Sequence, residues 1–285
     1  MATSAAVPAS AQGLTLLACQ IDIPFMTTGA ERDAHIDRVA AAIDTSLNTG
    51  GGVDLVVLPE LASLHYSEAC FNHLAALAEH LDDSPTLKRL AEVAQQHKTS
   101  ILAGLARRDS AGAHYISQVL IEPDGRYNRW YDKLHIAQFG ASMEKLFFRR
   151  GDHVLVFEIR GFTLGVIICY DMRIPELSRD LARRHQVDIL LHPTAFCRDE
   201  TFFSWHDFAK TRALENQVYF ASVNRAGADF GSSVLMKPWV DENAPPEVLP
   251  TEETFARWLL TRDAITEARA EYPFLKDLRE DYSAF

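Results

Sequence analysis

An α/β fold of layered helices and mixed sheets is what this sequence predicts, on three observations. Short apolar runs rich in β-branched residues recur, such as residues 53–58 (VDLVVL) and 164–168 (LGVII), with the length of buried strands. Stretches with helical spacing alternate with them, as in residues 30–48, where Ile36, Val39, Ile43 and Leu47 share a face. Two hairpins add antiparallel pairs, so the sheets are expected to be mixed rather than purely parallel.

The elements follow in order. Residues 14–23 (LTLLACQIDI) read as a first buried strand, and the helix over 30–48 ends at Gly50-Gly51-Gly52. The strand over 53–58 runs into Pro59-Glu60. Helical segments are predicted over 67–80 and 84–97, with Ser84-Pro85 as the start signal of the second. A strand follows over 100–105. A hairpin joins 115–121 to 126–133 through the turn Pro123-Asp124-Gly125. Residues 136–150 lack regular periodicity and read as a loop. A second hairpin pairs 154–159 with 162–168 around Arg160-Gly161. Beyond it come a helix over 178–184 with Pro175 near its start, a strand over 187–191, a helix over 203–216, and strands over 218–223 and 232–236. A Pro-rich loop spans 238–250, and a last strand and helix are expected over 255–261 and 265–271. No composition break marks a domain boundary, so residues 14–285 read as one domain after a loose tail over 1–13.

Composition narrows the function. The net charge of −11, with no basic stripe, argues against a nucleic-acid partner. No apolar run is long enough to span a membrane, and the first residues lack the charged and apolar regions of a signal peptide. Cys19, Cys70, Cys169 and Cys197 show neither disulfide-framework nor metal-ligand spacing, which suits a reducing, cytoplasmic setting. Cys19 and Cys70 read as inert thiols.

Three polar residues stand just after apolar strands: Glu60, Lys133 and Cys169. In α/β sheets the carboxyl ends of strands are where ligands bind. An acid, an amine and a thiol gathered there suit acyl transfer. Cys169 stands at a strand-to-helix corner, where outward N–H groups are expected to ease its ionisation for attack on a carbonyl carbon. Taken alone, a lone Cys in an apolar run is more often a small buried hydrophobe.

Residues 58–62 (LPELA), 131–136 (YDKLHI) and 169–179 (CYDMRIPELSR) resemble, in order and spacing, the three signature blocks of the carbon–nitrogen hydrolase (nitrilase) superfamily. The similarity continues through EPDGRYNRWYDKLHI, VDILLHPTAF, KTRALENQVYFASVNRAG and YPFLKDLR. The resemblance implies a four-layer αββα sandwich and a Glu-Lys-Cys triad. Glu60 would be the general base, Lys133 the stabiliser of the tetrahedral intermediate and Cys169 the nucleophile. The backbone N–H of Tyr170 would also meet the oxyanion. Members often carry a second glutamate seven residues before a glycine, a place that Glu144 and Gly151 fill. The family acts without a metal or organic cofactor and usually forms dimers or larger assemblies, so a homodimer is expected, with the helices after Cys169 and around Trp205 at the interface.

The residues Tyr-Asp-Met-Arg after Cys169 resemble the amidase and omega-amidase-like branch. The expected activity is hydrolysis of a small amide to acid and ammonia through a thioester on Cys169. An N-carbamoyl amine or amino-acid hydrolase and a nitrilase are the enzyme alternatives, and a non-catalytic binding or scaffold protein is the alternative of another class. Arg173 can bind a substrate carboxylate or hold its turn by pairing with Glu176, and the second role is the favoured one. Phe139, Thr194, Phe196, Cys197 and Trp205 are expected around the pocket, and His135 in loop packing. Residues 136–147, the loop near Cys197 and residues 239–250 are expected to form its rim, the last of these covering the pocket or a subunit contact.

Overall fold

The structure is a computed structural model that describes residues 13–140, 142–243 and 245–279. The expected tail falls on residues 1–12, outside the described residues, except for Gly13, which opens the first strand. Two six-stranded sheets form the centre. The first has the order β12-β1-β2-β3-β4-β5, and the second β11-β10-β9-β8-β7-β6.

In the first sheet, β1 (Gly13–Gln20), β2 (Leu55–Val57) and β3 (Ser100–Arg108) are mutually parallel. β4 (His114–Ile121) and β5 (Arg129–Asp132) then fold back twice, so β5 again runs with β2 and β3. The carboxyl ends of β2 and β5 therefore lie at the same edge. β12 (Thr254–Thr261) closes this sheet, antiparallel to β1 along its whole length.

In the second sheet, β7 (Phe162–Val166), β8 (Ile189–Pro193) and β9 (Tyr219–Val223) are parallel. They are flanked by the antiparallel strands β6 (Val156–Ile159), β10 (Val234–Met236) and β11 (Glu247–Val248). Their side chains alternate. Leu164, Val166, Ile189, Leu191, Tyr219, Ala221 and Val223 join the core shared with the first sheet. Leu190 and Phe220 face outward onto Leu181, Ala209 and Ala213. Strands buried on both faces read as unbroken apolar runs, which is why the sequence shows them clearly.

Helices α1 (Gly29–Asn48) and α4 (Pro85–His97) cover the first sheet, and α5 (Pro175–Arg183) and α6 (Trp205–Asn216) the second, completing the αββα layering. Thr28 caps α1 reciprocally with Glu31, and Ser84 caps α4 with Pro85 in its first turn. α7 (Arg262–Glu271) follows β12.

Three points differ from expectation. The helix over 67–80 is two single turns, α2 (Glu68–Phe71) and α3 (Leu74–Leu77), because Ser67 caps the first and His73 interrupts the pattern. The corner after Cys169 holds a separate 3-10 turn over Cys169–Arg173 that was not expected, while the helix behind it begins at Pro175 as the sequence suggested. Among the described residues of 239–250 none lines the pocket described below: Trp239 instead stacks on Tyr272, with ring centroids 3.6 Å apart, and Glu247–Val248 form β11 at the sheet edge.

Candidate active site

Glu60 leaves β2 and has to cross the face of β3 to reach the site. Gly104 permits this: a Cβ there would lie 2.1 Å from the Pro59 carbonyl oxygen and 2.7 Å from Gln118 Nε2. Gln118 Nε2 donates to that same carbonyl at 3.2 Å. The turn is completed by Leu61 at φ 49°, a left-handed conformation that costs a bulky residue about 1–3 kcal/mol. Lys133 follows β5 directly. The returning loop passes over it at Gly151, whose N–H donates to the Lys133 carbonyl at 2.9 Å. A Cβ on Gly151 would lie 2.1 Å from the Asp132 carbonyl oxygen, so the glycine is required by the close approach.

These two paths bring Glu60, Lys133 and Glu144 together, all with no solvent exposure. Lys133 Nζ donates to Glu60 Oε1 at 2.8 Å and to Glu144 Oε1 at 2.6 Å. The far oxygens are also fixed. Ala195 N–H donates to Glu60 Oε2 at 2.8 Å, and Ala137 N–H to Glu144 Oε2 at 2.9 Å. Tyr66 adds a hydroxyl bond to Glu144 Oε1 at 2.8 Å. An ammonium has three N–H groups, so these two bonds leave one unused.

Burial alone would lower the Lys133 pKa, but Glu144, Glu60 and the Cys169 thiol together hold it well above the ordinary lysine value. Burial raises Glu60 above the usual carboxylate range, with Lys133 opposing and Glu144 adding to the rise. Cys169 is raised as well, by burial first and then by Glu60, while Lys133 and Thr194 pull it down. The sequence expectation of an easily ionised thiol is thus reversed. Burial, with the two carboxylates, outweighs the Lys133 ammonium and disfavours ionisation of the thiol, so a nearby base suits its activation.

Cys169 itself lies at φ 42°, a second strained non-glycine residue at the site. Asp171 braces this corner against the first sheet. Its Oδ2 accepts from Tyr131 Oη at 2.6 Å and from Ile168 N–H at 2.9 Å, and its Oδ1 accepts from His135 N–H at 2.9 Å and meets His135 Nδ1 at 2.7 Å. His135 is therefore a bracing residue, in line with its expected place in loop packing.

Cys169 opens onto a cavity of about 40 Å³ whose walls include Tyr66, Glu144, Tyr170, Arg173, Phe196 and Cys197. Phe139 also lines it and packs on Tyr170 at 5.1 Å. Glu60 and Lys133 lie behind this wall. Thr194 is fully buried and is not a lining residue. Trp205 is likewise behind the wall, stacked on Phe196 at 5.3 Å and 8°. A wider surface groove of about 1120 Å³ near Arg183 and Arg262 contains none of these residues.

Arg173 has no carboxylate within 4.0 Å among the described residues, so the expected pair with Glu176 does not form. Its guanidinium lies against the rings of Phe208, Phe139 and Phe196 at 4.9, 5.5 and 5.5 Å. It donates one long bond to Ser204 Oγ at 3.4 Å, and its buried Nε has no partner. Tyr66, Asp171 and the Ala137 and Ala195 N–H groups were not identified from sequence as parts of the site. Tyr66 and Ala195 meet Glu144 and Glu60 from far off in the chain, Asp171 meets Tyr131 and His135 likewise, and no local pattern announces these pairings. Among the described residues no group of three metal-ligating side chains occurs, and no helix is long and apolar enough to cross a membrane.

Comparison with known proteins bears on the family and the fold. The profile described as carbon–nitrogen hydrolase matches residues 16–246. A protein of Pseudomonas protegens named hydrolase in pqqF 5'region is 31% identical over 239 residues, covering 80% of this chain and 79% of that one. The Homo sapiens omega-amidase NIT2 is 28% identical over 244 residues, covering 82% of this chain and 86% of its own. Among solved structures, Saccharomyces cerevisiae Nit3, described as a member of branch 10 of the nitrilase superfamily, superposes with a TM-score of 0.81 at 22% identity, over 96% of this chain and 99% of that one.

Proposed function

The chain belongs to the carbon–nitrogen hydrolase family, whose members act on C–N bonds other than peptide bonds, and from that premise we propose that it hydrolyses a small amide to a carboxylic acid and ammonia through a thioester on Cys169. The observation that carries this reading is the buried Lys133 bridging the carboxylates of Glu60 and Glu144, the latter lining the same cavity as Cys169.

The chemistry follows from that charge arrangement. Glu60, made more basic by burial, takes the thiol proton as sulfur bonds to the amide carbon. The electron pair of the carbonyl moves to oxygen, where the Tyr170 N–H and the unused N–H of Lys133 meet it. The C–N bond then breaks, and Glu60 returns the proton to nitrogen, so ammonia leaves. In the second half Glu60 takes a proton from water, the hydroxide attacks the thioester, the C–S bond breaks and the proton returns to sulfur. Glu144 keeps Lys133 charged and in place throughout, since its Oε1 accepts the shorter of the two lysine bonds. Keeping Lys133 protonated suits an electrostatic role rather than proton transfer.

The cavity supports a small acyl group: about 40 Å³ is room for a few waters. Arg173, partly exposed and without a carboxylate partner, supports a substrate that carries its own carboxylate. The test is ammonia release over a panel of small amides, N-carbamoyl compounds and nitriles, with and without a carboxylate, for wild type and Cys169→Ala. Turnover of carboxylated amides by wild type alone is expected. Turnover confined to N-carbamoyl compounds with CO₂ release, or to nitriles, would replace the amidase reading, and equal turnover by Cys169→Ala would overturn it.

A further inference from the structure

His192 is fully buried at the end of β8, and the mechanism above does not use it. Its Nε2 lies 2.9 Å from the carbonyl oxygen of Cys169, and its Nδ1 lies 2.7 Å from Ser222 Oγ on β9. Ser222 Oγ in turn lies 3.2 Å from Trp205 Nε1 on α6. The chemistry of the ends fixes every hydrogen along this chain. A carbonyl only accepts, so His192 Nε2 must carry the proton. An indole N–H only donates, so Ser222 accepts from Trp205 and donates to His192 Nδ1. Burial keeps the imidazole neutral by lowering its pKa to about 4, consistent with that single tautomer.

The consequence lies across one peptide bond. No described peptide bond is cis, and in a planar trans peptide the C=O and the next N–H point in opposite directions. Holding the Cys169 carbonyl toward His192 therefore aims the Tyr170 N–H to the other side. Cys169 has the left-handed φ of 42° that needs such an external hold.

We propose that His192, fixed by Ser222 and Trp205, is a positioning residue that orients the Cys169–Tyr170 peptide so that the Tyr170 N–H meets the oxyanion. The inference rests on the amidase reading, in which that N–H is an oxyanion donor. His192 touches neither substrate nor the reacting sulfur; it acts through the backbone.

The experiment compares wild type, His192→Leu, His192→Gln and Ser222→Ala by kcat and KM on the best amide and by the rate of Cys169 alkylation with iodoacetamide, read by intact mass. Gln can place an N–H near the position of Nε2, and Leu cannot. Alkylation expels iodide and develops no oxyanion, so it reports on the thiol alone. His192→Leu is expected to lower kcat by roughly 10²-fold, the scale of a lost oxyanion donor, with KM and alkylation rate unchanged. His192→Gln should recover part of that loss. Ser222→Ala should show a smaller fall of kcat with the same unchanged KM and alkylation rate, and it provides the test if His192→Leu does not fold. Unchanged kcat in His192→Leu, a parallel fall of kcat and alkylation, or no rescue by Gln would overturn the positioning role while leaving the amidase reading standing. A wild type that turns over no amide would overturn both.

Discussion

Lys133 and Arg173 are two cations within one small site, and they are held in opposite ways. Lys133 sits behind the cavity wall with carboxylates at 2.6 and 2.8 Å, both of them anchored by backbone N–H groups. Arg173 sits on the wall against three aromatic rings, with one long bond to Ser204 and an unpartnered Nε. The first charge is held between two carboxylates of the protein with one N–H to spare, so it is a fixed electrostatic element. The second is left partly unanswered, so it is available to a group that the substrate brings. In the function proposed above, one cation serves the reaction and the other recognition.

The largest effect should come from breaking the first arrangement. Lys133→Met leaves Glu60 and Glu144 buried together without a counter-charge. Removing one partner of a buried pair costs about 3–5 kcal/mol, so a clear fall in Tm is expected along with loss of ammonia release. A variant as stable as wild type by calorimetry would mean that the carboxylates share a proton and do not depend on Lys133. The companion change, Arg173→Met, should leave Tm close to wild type. It should raise KM for carboxylated amides roughly 10- to 100-fold, the value of a charged hydrogen bond of about 1.5–3 kcal/mol, and leave neutral amides unaffected. An equal loss on both substrate types would assign Arg173 to the architecture of the pocket instead.

A smaller effect sharpens the comparison by adding bases that lack a carboxylate partner. His35 is buried against the Ala62 carbonyl at 3.0 Å, and burial lowers its pKa to about 4, as it does for His192. Both should be neutral when folded, whereas the ordinary histidine pKa in the unfolded chain is 6.5. Below 6.5 the unfolded chain takes up protons that the folded one refuses, so stability is full above 6.5 and is lost as pH falls toward 4. Thermal melts over that window should show a falling Tm, with a shallower slope in His35→Gln. An unchanged slope would mean that His35 protonates freely in the folded state.

Sequence and structure agree where local pattern decides and part where distant pairing decides. Glu60, Lys133 and Cys169 could be singled out because each follows a strand, but their proposed roles, and the place of Glu144 seven residues before Gly151, came from the resemblance of their sequence blocks to a known family. The layered α/β fold was legible because strands such as β7, β8 and β9 are buried on both faces, whereas the four-layer sandwich was implied by the resemblance. The state of the thiol was not legible: a strand-to-helix corner suggests easy ionisation, whereas Glu60, more than a hundred residues away in the chain, helps push Cys169 the other way. Arg173 was misread as a partner of Glu176 because both lie close in sequence, yet the guanidinium turns toward Phe139, Phe196 and Phe208. Trp239 was expected at the pocket rim, whereas it stacks on Tyr272 of a C-terminal segment whose position no local pattern gives.

The central claim is that Cys169 carries the acyl group while Glu60 serves both half-reactions. Its most direct test is the intact mass of protein quenched in acid during turnover of a carboxylated amide. Wild type should show a mass increase equal to the acyl group, mapped to Cys169 and absent from Cys169→Ala. Turnover with no adduct at any quench time, or an adduct that survives in Cys169→Ala, would contradict the account.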